Sequence, residues 1–295
     1  MVDPGQIEAP PGLEGVIVAE TEVGDVRGRE GFYHYRQYSA VELAEKRRLE
    51  DVWFLLFDGH LPSDRERDAF LAELAEARVL PPAVADVLPA ISAAGGPLMD
   101  QLRTAVSLTG HTLGFQSTLD LSADERRAHA LRVAAVVPTL VMALYRLGQG
   151  LEPIEPHPEL GYGANYLWML TGERPDPDIA RSVEQYQITT IDHGFNSSTF
   201  TSRVVVSTGA DVAASVVGAI GALSGPLHGG APSRALALLD AIGTSDNARP
   251  YLLDAVANGE KIMGFGHRVY KTDDPRAVFL RKVSERVGAE NVEFA

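Results

Sequence analysis

The chain of 295 residues contains no cysteine, which excludes disulfide bonds, thiolate metal sites and a cysteine nucleophile. Its most apolar segment, residues 133–144, is shorter than the roughly 20 residues that a membrane-spanning helix requires and predicts a buried helix instead. The first twenty residues contain no basic segment followed by an apolar run. We therefore find no secretory signal and expect a cytoplasmic protein.

Basic residues are also scarce. The chain has 26 Lys and Arg against 40 Asp and Glu, a net charge of −14, which argues against nucleic acid as the main partner. Seven of these basic residues nevertheless fall within 261–286, which holds only three acidic residues and so carries +4. This basic region is either a solvated helix face or a pocket for a small, highly anionic ligand.

Several common catalytic motifs are missing. The stretch GFGHRV begins like a dinucleotide-binding loop, but Val269 stands where the third glycine belongs and no strand is predicted before it. The sequence has no GxxxxGK[ST] loop, no G-x-S-x-G elbow and no HExxH pair. We therefore expect neither a Rossmann nucleotide site, nor a P-loop, nor metal catalysis.

The amino-terminal region predicts a small β-hairpin. Residues 15–23 and 31–38 are short runs rich in β-branched and aromatic side chains, separated by a segment rich in glycine and charge. Beyond residue 38 almost every signal is helical, without the alternating strands and helices of a doubly wound fold. The sequence predicts an all-α protein with one small hairpin.

Two helix starts are predicted at capping boxes, formed by Ser39 with Glu42 and by Ser63 with Glu66. In such a box each side chain satisfies a free backbone amide of the other residue. Another helix is predicted to begin at Pro177. Its predicted apolar face consists of Ile179, Val183, Tyr186 and Ile191.

Three histidines, His193, His228 and His267, lie at predicted helix boundaries. A lone histidine is more often a hydrogen-bonded structural residue than a catalyst, but glycines near His228 and His267 would let backbone amides approach a ligand closely. If Pro232 opens the next helix, the positive helix end disfavours the charged form of His228. A neutral histidine there can donate a hydrogen bond to a developing enolate oxygen, as a neutral histidine does in triosephosphate isomerase.

Arg276, which follows Pro275, offers a two-pronged donor for a carboxylate. Histidine donors together with an arginine suit a dicarboxylic keto acid, and the surrounding lysines and arginines suit a polyphosphate tail.

Three segments carry a family resemblance, namely DHGFNSSTFTSRVVVSTGAD, GPLHGGA and MGFGHRVYKTDDPRA. In this order they resemble the signature segments of the citrate synthase family. The stretches GLEGVIVAETEV, VWFLLFDGHLP and LWMLTGERPDP resemble the same family, so the similarity covers most of the chain.

The resemblance implies an all-α homodimer with a large and a small domain, which we place at residues 1–230 and 231–295. It implies an acyltransferase that condenses acetyl-CoA with oxaloacetate and hydrolyses the citryl-CoA intermediate, with no cofactor besides the acyl-CoA substrate. The related 2-methylcitrate synthases use propionyl-CoA. Neither nucleic acid nor a membrane is expected as a partner.

The resemblance also assigns catalytic roles. His228 matches the histidine that polarises the thioester carbonyl, and His267 matches the one that protonates the keto oxygen of oxaloacetate. Glu293 stands where the family has its aspartate base, in a segment that resembles NVDF.

Further positions match binding residues of the family. His193 and Arg276 match oxaloacetate-binding positions. Lys271 stands where the family often has a basic residue near the CoA phosphates, and Gly264 and Gly266 would admit the thioester.

The spacing departs from the family pattern, since Glu293 follows His267 by only 26 positions. The resemblance therefore implies an internal deletion and a missing carboxyl-terminal part. We expect weak or no activity if these residues are the whole molecule and ordinary activity if they belong to a longer one. The alternatives are a non-catalytic protein that binds oxaloacetate or CoA, and a helical structural protein with buried histidines.

Overall fold

The computed structural model describes residues 9–10, 13, 15–229, 231–262, 264 and 269–288, with the side chains of 231–233 excepted. Within them the regular structure is helical apart from one small sheet, which confirms the predicted all-α class. The strands are β1 (Gly24–Arg27), β2 (Phe32–Tyr35) and β3 (Tyr38–Ser39). The helices are α1 (Ala40–Lys46), α2 (Leu49–Asp58), α3 (Asp64–Ala77), α4 (Pro82–Ala85), α5 (Leu88–Ala93), α6 (Leu98–Thr112), α7 (Ala123–Gly148), α8 (Tyr162–Thr171), α9 (Pro177–Thr190), α10 (Ser197–Ser207), α11 (Val212–Leu223), α12 (Ala231–Ile242), α13 (Ser245–Ala257) and α14 (Pro275–Val287).

The sheet is antiparallel in the order β1-β2-β3, so a hairpin forms where one was predicted. Its first strand was placed wrongly, however, because Gly24 pairs with Tyr35 and the apolar run 15–23 forms no strand. Residues 16–20 are exposed. On β2, Tyr33 and Tyr35 point into the core, as the alternation of side chains along a strand requires.

The two predicted capping boxes differ in completeness. At the start of α3 the Ser63 side chain accepts from the Glu66 amide while the Glu66 carboxylate accepts from the Ser63 amide. At α1 the Ser39 hydroxyl accepts from the amide of Glu42, but the Glu42 carboxylate turns instead to Lys46. Each helix still begins where its cap predicted.

Helix α9 begins at Pro177 as predicted, but its buried face is not the predicted one. Ile179 and Tyr186 are exposed, whereas Glu184 and Ile188 are buried against neighbouring helices. The Glu184 carboxylate tolerates this position because Arg181 pairs with it at 3.0 Å. An ion pair within the helix thus allowed a polar side chain to occupy the buried face.

One hydrophobic cluster joins the sheet to α1, α2, α3, α7, α9 and α14. Helix α14 contributes Phe279 and Val283, so part of the segment 231–295 packs on the same core as the amino-terminal sheet. The domain boundary at residue 230 stays a prediction. This core fixes α14, and with it the segment just before it, against the sheet.

Helix α7 is the centre of a second cluster with α4, α5, α6 and α11. Within the described part of the chain it is the one helix long and apolar enough to cross a membrane by length and composition, and 56% of its apolar window is buried inside the protein. The segment 133–144 supplies buried side chains such as Val136 and Leu140, which confirms the buried helix predicted there. A long helix in a protein core can match a membrane-spanning helix in length and composition, so these two properties alone are weak evidence for a membrane span.

Helices α10 and α11 pack closely at a glycine. A methyl group on Gly218 would lie 3.1 Å from a methyl of Val205 and 3.5 Å from that of Thr201. The small side chain lets the two backbones approach, which offsets the low helix propensity of glycine. This pair of helices carries the segments that flank the candidate site.

Candidate active site

The loop between α9 and α10 contains His193 and is fixed at its start by two buried tyrosines. The hydroxyl of Tyr35 donates to the carbonyl of Ile188 at 2.7 Å, and that of Tyr33 donates to the carbonyl of Thr189 at 3.0 Å. Carbonyls in the last turn of a helix lack partners within that helix. The sheet therefore satisfies the end of α9 and sets the position from which the loop departs.

His193 lies between two tyrosine rings. Its Nε2 is 3.0 Å from the hydroxyl of Tyr270, and the ring of Tyr33 lies 5.9 Å away between centroids. Burial raises the pKa of Tyr270 to about 12, so its hydroxyl keeps its proton at neutral pH. The hydroxyl thereby restrains the orientation of the imidazole.

Arg276 lies at the start of α14, beside this cluster. Its Nη2 and Nε donate to the Asp274 carboxylate at 2.6 and 3.0 Å, and its guanidinium lies 5.7 Å from the centre of the Tyr270 ring. Burial lowers the pKa of Arg276, but the hydrogen bond and charge of Asp274 outweigh it and leave the pKa raised. Asp274 thus occupies two nitrogens of the guanidinium group that was predicted to bind a substrate carboxylate.

His228 meets the other end of the same loop. Its Nε2 lies 2.8 Å from the hydroxyl of Ser198 and 3.4 Å from the Ser198 amide. A backbone N–H can only donate, so Nε2 is the accepting nitrogen and the proton of the neutral ring belongs on Nδ1. Asn196 caps α10 directly beside this contact, which fixes where Ser198 stands.

The amino-terminal hairpin supports the segment that follows His267. The amide of Lys271 donates to the carbonyl of Gly28 at 2.9 Å. A methyl group on Gly28 would lie only 2.1 Å from the Val269 carbonyl oxygen. The turn after β1 and residues 269–271 thus touch backbone to backbone, an approach that only glycine permits.

The other predicted binding positions are less enclosed. Lys271 and Gly264 are exposed, and Gly264 has φ of +89°, a conformation that favours glycine. Gly266, His267 and Glu293 lie outside the described residues. The structure thus places His193, His228 and Arg276 around one loop and says nothing of the two remaining catalytic candidates.

Asp192 adds a carboxyl group next to His193. Burial raises its pKa, although the Gly194 amide, which donates to it at 3.1 Å, acts in the opposite direction. A cleft of about 260 Å³ opens beside it, and Asp192 and Ser198 both line this cleft. Within the described residues no group of three or more His, Asp or Glu could hold a metal ion.

Sequence reasoning missed Ser198, Tyr270 and Gly28. Ser198 and Tyr270 both lie inside the segments that carried the family resemblance. Their partners are 30 and 77 positions away in the chain, so no local pattern marks them. Gly28 gave no signal beyond being one glycine in a turn.

Comparison with known proteins identifies the family. The family description "Citrate synthase, C-terminal domain" matches residues 12–295. A citrate synthase from Synechocystis sp. is 38% identical over 95% of this chain and 70% of its own length. A 2-methylcitrate synthase from Mycobacterium tuberculosis is 41% identical over 94% of this chain and 69% of its own length.

A solved structure is similar as well. It is the ternary complex of carboxymethyl coenzyme A and oxaloacetate with citrate synthase from Thermoplasma acidophilum, at a TM-score of 0.89 and 26% identity. The similarity covers 96% of this chain and 74% of the solved one. With a family match over residues 12–295 and relatives of about 40% identity that cover most of its length, the chain belongs to the citrate synthase family of enzymes.

Proposed function

We propose that the protein condenses acetyl-CoA with oxaloacetate and then hydrolyses the thioester of the citryl-CoA intermediate. The observation that carries this proposal is the contact between His228 and Ser198. Because the Ser198 amide and hydroxyl face Nε2, the N–H on Nδ1 is left to donate to a thioester carbonyl. A fixed donor at that oxygen stabilises the enolate that forms when the methyl group loses a proton.

The remaining steps follow the family pattern. Glu293 removes a proton from the methyl carbon while His228 donates to the thioester oxygen, and the resulting enol carbon attacks the keto carbon of oxaloacetate. His267 supplies a proton to the keto oxygen, which becomes the hydroxyl of the product. Water then cleaves the thioester and releases CoA.

Oxaloacetate is held by His193 and Arg276 in this proposal. Tyr270 restrains the His193 ring, and the cation of Arg276 is kept in place by Asp274. To bind a carboxylate of oxaloacetate as well, Arg276 must either use Nη1, which does not donate to Asp274, or release Asp274. Lys271, Gly264 and Gly266 are assigned to CoA, with no cofactor besides the acyl-CoA substrate.

A second candidate substrate is propionyl-CoA, since relatives of similar identity are named 2-methylcitrate synthase. The two activities share every step above and differ by one methyl group in the acyl pocket. Thiol release from each acyl-CoA with oxaloacetate distinguishes them. Because the chain has no cysteine, a disulfide reagent reports only the CoA thiol.

The outcomes of that assay separate the candidates. Oxaloacetate-dependent release supports the proposal, and the faster acyl donor names the substrate. Oxaloacetate binding without release would instead indicate a non-catalytic binding protein. We expect His228→Gln to abolish release, whereas His60→Gln, which changes an exposed histidine, leaves it unchanged.

We also propose that the protein forms a homodimer through α10 and α11. Helix α11 is almost wholly apolar but has only three buried residues, and α10 has none. Val204 on α10 is 51% exposed, and covering such a face removes apolar surface from water. Sedimentation should show a dimer. Val204→Glu should dissociate it, whereas the control Val256→Glu, at an exposed position on α13, should not. The cytoplasmic location stays a prediction.

A further inference from the structure

A cavity of about 260 Å³ lies between α2, α3, α7 and α8, and it shares no lining residue with the candidate active site. Its inner wall is largely apolar. The side chains that form this wall are Trp53, Leu74, Pro138, Tyr162 and Met169. Nothing in the proposed acyl transfer uses this space.

One carboxylate in the cavity wall is buried and incompletely paired. Glu50 is 4% exposed, and its Oε1 accepts from the Tyr162 amide at 2.6 Å. Its Oε2 is buried and has no hydrogen-bond partner within the described part of the chain. A buried carboxylate oxygen without a donor is costly, so the cavity favours a ligand that supplies one.

The other charged side chains around the cavity do not supply that donor. Arg67 pairs with Asp51 at 2.6 Å. Arg78 donates to the carbonyls of residues 157, 158 and 160 at 2.9 to 3.0 Å. Both guanidinium groups are thus committed to structural contacts. Glu50 lines the cavity, and its buried Oε2 is left without a donor among the described residues.

A second buried carboxylate strengthens the preference for a cation. A methyl group on Gly161 would lie 3.1 Å from Oε1 of Glu50 and 3.9 Å from Oε1 of Glu184. Burial raises the pKa of Glu184, and the charge of Glu50 raises it further. Arg181 pairs with Glu184 at 3.0 Å. Glu50, whose charge acts on Arg78, has no basic side chain within ion-pair distance among the described residues.

Arg48 lies at the mouth of the cavity, where the cavity joins an open groove rich in arginine. Its Nη1 would be 3.9 Å from the same methyl group on Gly161. The Arg48 guanidinium makes no ion pair with any described residue. The space beside Gly161 is therefore bounded by an acidic group on the inside and a basic group at the entrance.

We propose that this cavity binds a small ligand with a protonated primary amine on an apolar body. The ammonium group donates to Oε2 of Glu50, and the apolar body packs against Trp53 and Met169. Aliphatic amines and apolar α-amino acids share this chemistry. The amino acids add a carboxylate that Arg48 can receive.

Calorimetric titration with three compounds of similar shape tests this proposal. Isoamylamine has the ammonium group alone, leucine has both charges, and 4-methylpentanoate has the carboxylate alone. We expect heat from the first two and none from the third. If an amino acid is the better ligand, Arg48→Gln should weaken the binding of leucine and leave the binding of isoamylamine unchanged. If the unmodified protein binds both compounds equally well, the site is assigned to amines.

Glu50→Gln is the decisive variant, since its amide oxygen still accepts from the Tyr162 amide while the charge is lost. We expect amine binding to weaken by about tenfold or more, because hydrogen bonds to charged groups are the strong ones. The matched control is Glu159→Gln, which changes a glutamate that lines the same cavity but is 77% exposed. That variant should bind as the parent does.

Gly161→Ala tests the same site by steric block if Glu50→Gln fails to fold. Gly161 has φ of −64°, so alanine fits the backbone, and its methyl group would stand against Oε1 of Glu50. The proposal is overturned if the parent takes up no amine at millimolar concentration, if Glu50→Gln binds as tightly as the parent, or if 4-methylpentanoate binds equally well. Binding heat is measured without turnover, so this result is independent of the proposed acyl transfer.

Discussion

Replacing Gly28 with alanine should displace the segment that follows His267. The new methyl group would lie 2.1 Å from the Val269 carbonyl oxygen and 2.7 Å from its carbon. Both are backbone atoms, which no side-chain rotation can move aside. Cβ atoms are essentially never found closer than 3.0 Å to such an atom, so one segment must move by about 1 Å, a displacement that can reduce a rate about a hundredfold.

The assay is oxaloacetate-dependent thiol release by Gly28→Ala, with circular dichroism to confirm the fold. Gly148→Ala is the matched control, since a methyl group there meets nothing within 4 Å. We expect kcat/KM to fall about a hundredfold in the first variant and to stay unchanged in the second. If the parent binds oxaloacetate without turnover, the same comparison applies to the binding affinity. A folded Gly28→Ala protein with parental activity would refute the reasoning.

Three other predictions concern single hydrogen-bonded groups. Ser198→Ala removes the hydroxyl at Nε2 of His228 and should lower turnover about threefold to tenfold, as expected for one net hydrogen bond; an unchanged rate would contradict the assigned tautomer. Tyr270→Phe should raise the KM for oxaloacetate more than it lowers kcat, because it removes one restraint on the orientation of the His193 ring. The effect should not vary between pH 6 and 9, because the pKa of Tyr270 is about 12. Hydrogen bonds from Ser63 lower the pKa of Glu66 from 4.5 to about 2, so the stability that Glu66 contributes is present above pH 4.5 and is lost as the pH falls toward 2. The difference in melting temperature between the parent and Glu66→Gln should therefore narrow below pH 4.5, and a difference that widens there would be inconsistent with this cap.

Features coded within a few residues were predictable. The caps at Ser63 and Ser39 place the starts of α3 and α1, because a capping side chain reaches only two or three residues along the chain. The family segments contain His193, His228 and Arg276, whose assigned roles stay predictions. These predictions required no knowledge of the tertiary contacts between helices.

Features that depend on a distant partner were not predictable. The buried face of α9 contains Glu184 and not Tyr186, because neighbouring helices and the ion pair with Arg181 decide which side faces inward. The run 15–23 forms no strand, and β2 pairs instead with Gly24–Arg27. Hydrophobic pattern alone does not encode either outcome.

The sequence by itself determined the helical class, several helix starts and the family, because these depend on neighbouring residues or on segments matched one by one. It also supplied the candidate catalytic side chains, whose roles stay predictions. Only the tertiary structure decided that Ser198 faces Nε2 of His228, that Tyr270 restrains His193 and that Gly28 lies against Val269. It alone also decided that Glu50 lines a cavity with one oxygen unpaired. Each of these contacts joins residues far apart in the chain, so its existence depends on how the whole core packs.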